Sequence, residues 1–158
     1  MANGLKKDYS DYTFKQLALS ITKDISDPKE KVYALAHWTT YNIPYDYELL
    51  KVIEQYENKE ITANEYEDLR YDFREAFRLR KGVCHHITLV FNMLCHHAGI
   101  KAYYVSGPVT VQRTNGFDIG RHAWSLVEIE GDYYSLDVTW IDNRKGTINK
   151  EYFLQQGN

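Results

Sequence analysis

Three side chains of this sequence have the chemical types needed to activate a sulfur nucleophile: Cys84, His122 and Asp137. A thiolate attacks acyl carbon atoms, a histidine takes the thiol proton and passes it to a leaving group, and a carboxylate holds the imidazole in the required tautomer. The three residues are far apart along the chain. The chemistry therefore depends on secondary structure that brings them together.

The segment from Arg80 to Gly99 predicts a helix with Cys84 in its first turn. Its apolar and small residues recur at steps of three and four: Cys84, Ile87, Thr88, Phe91, Leu94, Cys95 and Ala98. Gly82 breaks the chain before the helix, and Gly99 ends it. Unpaired N–H groups and the helix dipole favour a thiolate at this end, which suits a nucleophile. The alternative is that Cys84 is a small apolar residue that packs a helix end.

Beyond the cysteine helix the pattern changes to a period of two and predicts strands over residues 100–106, 122–129 and 132–139. Residues 107–120 are rich in glycine and predict a loop, within which Val109-Thr110-Val111 could form a short strand. Loops of this kind often border active sites.

The last two runs predict an antiparallel hairpin that turns at Glu130-Gly131. In that register Trp124 lies opposite Asp137, and His122 shares a sheet face with Asp137 because it is two residues from Trp124. The imidazole can then reach the carboxylate. A turn at Gly131-Asp132 keeps both side chains on one face but moves them two residues further apart.

The first half of the chain predicts helices. One helix spans residues 13–23, a second starts after the N-cap Asp27 and ends before Pro44, and a third covers residues 62–77. Residues 57–61 are a polar connection between helices.

The chain has 158 residues, which is enough for a single domain around one core. We expect one α+β domain over residues 1–158, with a helical part over about 13–98 and a sheet part over about 100–140.

The net charge of -3, with interspersed signs, predicts no nucleic-acid partner. No apolar run approaches the ~20 residues of a membrane span, and Met1 to Ser10 lacks the pattern of a signal peptide. We expect a soluble chain and leave its compartment, its oligomeric state and any longer parent protein open.

Cys84 and Cys95 are not expected to form a disulfide. Eleven residues along one helix separate them by about 16 Å, whereas bridged Cα atoms lie within about 7 Å. The Cys-His-His triplets at residues 84–86 and 95–97 contain zinc-binding residue types, but the same separation prevents them from sharing one ion. No metal or other cofactor is predicted. The histidines of the triplets are interpreted as polar helix surface: His85, His86, His96 and His97.

Several motifs around these residues are similar to those of the transglutaminase-like superfamily of papain-like thiol enzymes. They are Gly82-Val83-Cys84, the passage Leu94-Cys95-x-x-Ala98-Gly99-Ile100-x-Ala102, His122-Ala123-Trp124, Asp137-Val138-Thr139-Trp140 and, ahead of the cysteine, Trp38 and Ile43-Pro44-Tyr45-Asp46. Their order and spacing make the resemblance specific, and it covers roughly residues 27–153.

The resemblance implies a papain-like fold, with N-terminal helices and the nucleophile helix packed on an antiparallel sheet. It also implies a triad of Cys84, His122 and Asp137 that acts on amide bonds of proteins or peptides through a thioester. Hydrolysis is preferred to cross-linking, because small members without the calcium-binding, multidomain setting of animal cross-linking enzymes resemble proteases. The backbone N–H of Cys84 can donate to an oxyanion, and the second donor is unidentified. Trp124 and Trp140 are candidates for substrate contact or for shielding the core.

Two features depart from the family pattern. His85 and His86 follow the cysteine, where the family has other residue types, and the charged insertion over residues 46–80 is longer than in compact members. The insertion is expected to cover the cleft or to bind a partner. Two other functions stay open: an arylamine acetyltransferase-like enzyme with a similar Cys-His-Asp order, and a non-catalytic binding or assembly module that retains the fold.

Overall fold

The computed structural model describes residues 11–113, 116–139 and 155–156. Within these residues six helices come first: α1 Asp11–Thr22, α2 Pro28–Asn42, α3 Tyr47–Glu57, α4 Ala63–Leu69, α5 Phe73–Leu79 and α6 Cys84–His97. The strands of the described residues follow: β1 Lys101–Arg113, β2 Gly116–Ile129, β3 Asp132–Leu136 and β4 Gln155–Gln156. Neighbouring strands pair antiparallel in the order β1-β2-β3-β4, so the chain has the predicted α+β fold.

The predicted caps start two of the helices. The Asp27 carboxylate accepts a hydrogen bond from the backbone N–H of Glu30 at 3.2 Å, and Pro28 is the first residue of α2. Thr62 and Glu65 form a reciprocal capping box at the start of α4. Both starts are therefore set by local side-chain bonds.

The single helix predicted over residues 62–77 is wrong, because the chain breaks it at Tyr71 into α4 and α5. The Asp72 side chain accepts a 2.9 Å hydrogen bond from the backbone N–H of Glu75, which starts α5. Aspartate favours an N-cap over a helix interior, so this bond competes with the continuous helical pattern. The break leaves Tyr71 between two helices, where its hydroxyl reaches the Asp46 carboxylate.

Helix α6 carries the centre of the core. It packs against α1, α2 and α5 and against strands β1 and β2. Its buried face includes Ile87, Val90, Phe91, Leu94 and Cys95, which confirms the predicted steps of three and four. Burial of this face fixes the rotation of α6 and therefore the direction in which its first-turn residues project.

The β2–β3 hairpin turns where the sequence predicts. Ile129 pairs with Asp132, and the turn residues Glu130 and Gly131 have left-handed backbones with φ of 53° and 87°. Two left-handed residues are typical of the type I′ turn that joins strands through a two-residue loop. Strand β3 ends three residues before the predicted end, so Asp137 directly follows the sheet.

The loop predicted over residues 107–120 is wrong for the described part of that range. Strands β1 and β2 pair continuously, and Gly107 of β1 lies opposite His122 of β2. β1 is first in the sheet order, and an edge strand tolerates proline because one of its sides needs no ladder hydrogen bond. Pro108 therefore does not end the strand. Residues 114–115 lie outside the described residues.

Candidate active site

Cys84 is the first residue of α6 and lies at a surface cleft. Val83, the N-cap before it, has an extended backbone with φ of -98° and ψ of -179°. The Cys84 N–H consequently belongs to the group of first-turn donors that have no partner in the helix ladder. The half-buried Cys84 side chain lines a cleft of about 990 Å³. A thiol here meets both the open cleft and the positive end of the helix dipole.

His122 and Asp137 form a short hydrogen bond beside Cys84. The distance between His122 Nε2 and Asp137 Oδ2 is 2.6 Å, and the two side chains are 7% and 13% exposed. Burial disfavours a charged His122, but hydrogen bonds to Asp137 and Cys84 outweigh it and raise the pKa of His122 to about 9. Because Nε2 contacts Asp137, Nδ1 is the ring nitrogen left for the Cys84 sulfur. The structure thus brings the three residues into one series of contacts.

Strand β2 and the end of β3 position the His122–Asp137 pair. Ser125 and Leu136 are the last paired residues of the β2–β3 ladder, and Asp137 follows them directly. The prediction that the imidazole reaches the carboxylate is confirmed by the 2.6 Å contact between the two side chains, although Asp137 lies just beyond the last paired residue of β3. Trp124 is half-buried, and its ring stacks beside His122 with 6.2 Å between centroids.

Tyr45 lines the cleft together with Cys84. Burial, and after it the negative charges of Cys84, Glu54 and Asp46, raise the pKa of Tyr45 to about 12, whereas a hydrogen bond from the Cys84 N–H lowers it. An isolated parallel bridge pairs Tyr45 with Gly82, and the Asp46 N–H donates to the Gly82 carbonyl at 2.9 Å. Sequence reasoning missed this role of Tyr45. The motif that contains Tyr45 was visible, but one bridge between distant residues produces no periodic signal.

Two walls enclose the cleft beside Cys84. One wall is the face of α3 that carries Tyr47, Leu50, Ile53, Glu54 and Glu57. The other wall comes from β1 and β2 and includes Tyr104, Ser106, Val109, Gly120 and Arg121. The insertion over residues 46–80 therefore supplies one side of the cleft, through α3.

The histidines of α6 do not share one environment, and the interpretation of His86 as polar surface is wrong. His86 is 4% exposed and forms hydrogen bonds through both ring nitrogens. His85 is exposed, and its Nδ1 lies 2.8 Å from the Tyr104 hydroxyl at the cleft. His96 is exposed and His97 is half-buried. A long polar side chain in the third helical position can turn back to the N-cap, which periodicity alone does not predict.

Substrate contact by the two tryptophans stays a prediction. Trp140 lies outside the described residues, and the described residues that line the cleft do not include Trp124.

Both cysteines are free, which confirms that they do not pair. Within the described ranges, no group of three or more side chains is arranged to hold a metal ion. In the same ranges, every helix is too short or too polar to cross a membrane.

A model of the transglutaminase-like superfamily matches residues 15–141. The chain belongs to this superfamily. The match includes the helix that starts at Cys84 and the hairpin that holds His122 and Asp137. Among relatives of this transglutaminase-like chain, kyphoscoliosis peptidase of Mus musculus and of Homo sapiens is 24% identical over 144 residues. That region covers 87% of this chain and 19% of each relative, so the chain spans about a fifth of the length of these curated relatives.

Three solved structures share the fold of this transglutaminase-like chain, each with a TM-score of 0.56. A candidate cysteine protease from Cytophaga hutchinsonii is 19% identical, with coverage of 97% of this chain and 45% of that one. A TGase is 18% identical, with coverage of 82% and 30%. A candidate protease from Parabacteroides distasonis is 16% identical, with coverage of 87% and 25%. At these identities the similarity establishes the papain-like, transglutaminase-like fold.

Proposed function

We propose that this chain is a cysteine enzyme that acts on amide bonds of proteins or peptides through a thioester acyl-enzyme. The observation that carries the proposal is the series of contacts from Cys84 to His122 to Asp137 at the cleft. Membership of the superfamily and likeness in fold to candidate cysteine proteases support the same class of reaction.

In the acylation step, the Cys84 thiolate attacks the acyl carbon and a C–S bond forms. The raised pKa of His122 keeps its imidazolium protonated at neutral pH, so it donates a proton to the leaving nitrogen as the C–N bond breaks. Asp137 holds the ring so that Nδ1 faces the reacting atoms. Neutral His122 then takes a proton from water, whose oxygen attacks the thioester. The C–S bond breaks, the carboxylic acid product leaves, and the Cys84 thiolate and the His122 imidazolium are restored.

We assign the second oxyanion donor to the Tyr45 hydroxyl. Tyr45 and Cys84 both line the cleft, and the Cys84 N–H acts toward the Tyr45 oxygen as a hydrogen-bond donor. A substrate oxygen that enters between them accepts from both the N–H and the O–H. With a pKa of about 12, Tyr45 keeps its proton at neutral pH and remains a donor.

Hydrolysis is preferred to transfer onto an amine. The curated relatives are named as peptidases and two of the structural relatives as candidate proteases, whereas one is a TGase. Incubation with a peptide library, with and without a labelled primary amine, distinguishes the two reactions by mass spectrometry. Cleaved peptides are expected in both samples. Amine incorporation without cleavage would contradict hydrolysis and support a protein-glutamine acyltransferase.

A Cys84→Ala variant tests whether the chain is an enzyme of this kind at all. The variant is expected to lose cleavage completely while it keeps the fold, because the thioester cannot form without the sulfur. If neither protein turns over any peptide and both bind a partner equally, a non-catalytic binding module replaces the enzyme.

A further inference from the structure

A buried histidine connects the first turn of α6 to the 46–80 insertion. His86 Nδ1 lies 3.1 Å from the backbone nitrogen of Val83, and His86 Nε2 lies 2.7 Å from the backbone oxygen of Tyr71. Since the Val83 N–H is a donor, Nδ1 must accept, and Nε2 must carry the proton that is donated to Tyr71. Both bonds therefore require one neutral tautomer of the ring.

The bond to Val83 replaces an ordinary helix cap. Val83 is the N-cap of α6 and has no side-chain oxygen with which to cap the helix. His86, in the third helical position, supplies to the N-cap N–H the bond that glutamate or glutamine supplies in a capping box. This bond fixes the residue immediately before Cys84. It therefore fixes the directions of the Cys84 N–H and Sγ.

Close packing holds the His86 ring in place. A Cβ added at Gly82 would lie 2.7 Å from His86 Cβ, so only glycine lets the side chain approach this backbone. On its other side the ring stacks on Tyr71, with 4.9 Å between centroids and 17° between planes. The same Gly82 backbone forms the bridge to Tyr45.

Tyr71 extends the connection to the residue that follows Tyr45. Its hydroxyl donates to Asp46 Oδ2 at 2.5 Å, and Asp46 Oδ1 accepts from the backbone N–H of Leu49 at 3.1 Å. Asp46 is therefore both the N-cap of α3 and the partner of Tyr71. A continuous path runs from the helix start at Cys84, through His86 and Tyr71, to the Tyr45-Asp46 segment.

We propose that His86 is a positioning residue, which holds Cys84 and Tyr45 at the separation that an acyl oxygen needs. The proposal rests on the proposed function, in which these two residues donate to the oxyanion. Burial lowers the pKa of His86, so the ring stays neutral at neutral pH and Nδ1 remains an acceptor. His86 acts through Val83 and Tyr71, and it is not among the described residues that line the cleft.

The test compares H86A, H86N and H96A with the unchanged protein. Asparagine keeps an acceptor where His86 has Nδ1, because both atoms are bonded to Cγ, whereas alanine has none. His96 is an exposed histidine on the same helix and provides the matched control. Two quantities are measured: the rate at which iodoacetamide alkylates Cys84 at neutral pH, and kcat and KM on a peptide that the protein cleaves.

H86A is expected to lower both the alkylation rate and kcat about tenfold while KM stays within about twofold, because a small displacement of the nucleophile affects the reaction more than binding. H86N is expected to recover to within about threefold of the unchanged protein, and H96A to match it. A folded H86A protein with unchanged alkylation and kcat would overturn the proposal. An H86N protein as slow as H86A would overturn the role assigned to the Val83 bond, since asparagine keeps that acceptor and loses only the bond to Tyr71.

Near-UV circular dichroism shows whether H86A keeps the packed fold. If it does not, H86N is compared with H96A instead. Rates within about threefold of each other support the proposal, and a tenfold loss in H86N overturns the role assigned to the Val83 bond. Alkylation needs no substrate. If H86A slows alkylation of Cys84 while the unchanged protein cleaves no peptide, His86 is a positioning residue and the proposed reaction is wrong.

Discussion

Replacing Asp137 with asparagine should lower the pKa of His122 from about 9 toward its ordinary value of 6.5. The difference corresponds to about 3 kcal/mol in favour of the imidazolium, at about 1.4 kcal/mol per pKa unit. Asp137 makes the largest contribution to the raised pKa, through its hydrogen bond to the ring. His122 is 7% exposed, so the burial that opposes the charge remains when the carboxylate is gone.

Histidine ring protons followed by NMR over a pH range measure this pKa directly. An H122N variant identifies the His122 resonance among the six histidines of the chain. Because the imidazole also loses the partner that fixes its tautomer, kcat of D137N should fall about 10³- to 10⁴-fold. A folded D137N protein in which His122 still titrates near 9 would refute the assignment of Asp137 as the group that stabilises the imidazolium.

The same pair makes folding stability depend on pH. Because the pKa of His122 is higher in the folded than in the unfolded protein, protonated His122 stabilises the fold fully below about pH 6.5. This stabilisation is lost as the pH rises through about 9. Urea titrations at about pH 6 and at about pH 9.5 measure this loss. The free energy of unfolding should be lower at the higher pH by up to about 3 kcal/mol, and the difference between the two pH values should be smaller in D137N. An equal fall in both proteins would contradict this coupling.

Iodoacetamide should alkylate Cys84 well before Cys95, because Cys84 lines the cleft whereas Cys95 is fully buried and burial raises the pKa of its thiol. Equal rates by peptide mapping would count against an accessible nucleophile. Tyr45→Phe should lower kcat about 10²-fold in steady-state kinetics with little change in KM, and an unchanged kcat would exclude this hydroxyl as an oxyanion donor. Gly82→Ala should destabilise the protein by about 1–3 kcal/mol in urea titrations, because the added Cβ would lie 2.7 Å from His86 Cβ. A loss under about 0.5 kcal/mol would mean that His86 moves aside at little cost.

Features with a local signal could be predicted from the sequence. The period of α6 and its flanking glycines place Cys84 at a helix start, because burial of one face leaves a repeating pattern. The Glu130-Gly131 turn fixes the hairpin register, since only certain residues adopt two left-handed conformations in succession. That register places His122 and Asp137 on one face, which is why their contact could be expected before the structure.

Features that depend on contacts between distant segments could not be predicted in this way. The bridge from Tyr45 to Gly82 joins residues 37 positions apart, and no spacing in either segment indicates it. The position of His86 in the helical repeat of α6 predicts a side chain on the surface. The ring turns inward instead, because Gly82 has no side chain in its way. The glycine-rich stretch after Ser106 forms paired strands because its partner strand and its edge position outweigh its low local strand preference.

Intact-protein mass spectrometry tests most directly whether Cys84 forms a thioester. The protein is incubated briefly with a peptide that it cleaves, denatured in acid, and weighed before and after digestion. The unchanged protein should carry the acyl half of the substrate on the fragment that contains Cys84, and Cys84→Ala should show neither adduct nor cleavage. A Cys84→Ala protein that cleaves the peptide at the unchanged rate would contradict the mechanism.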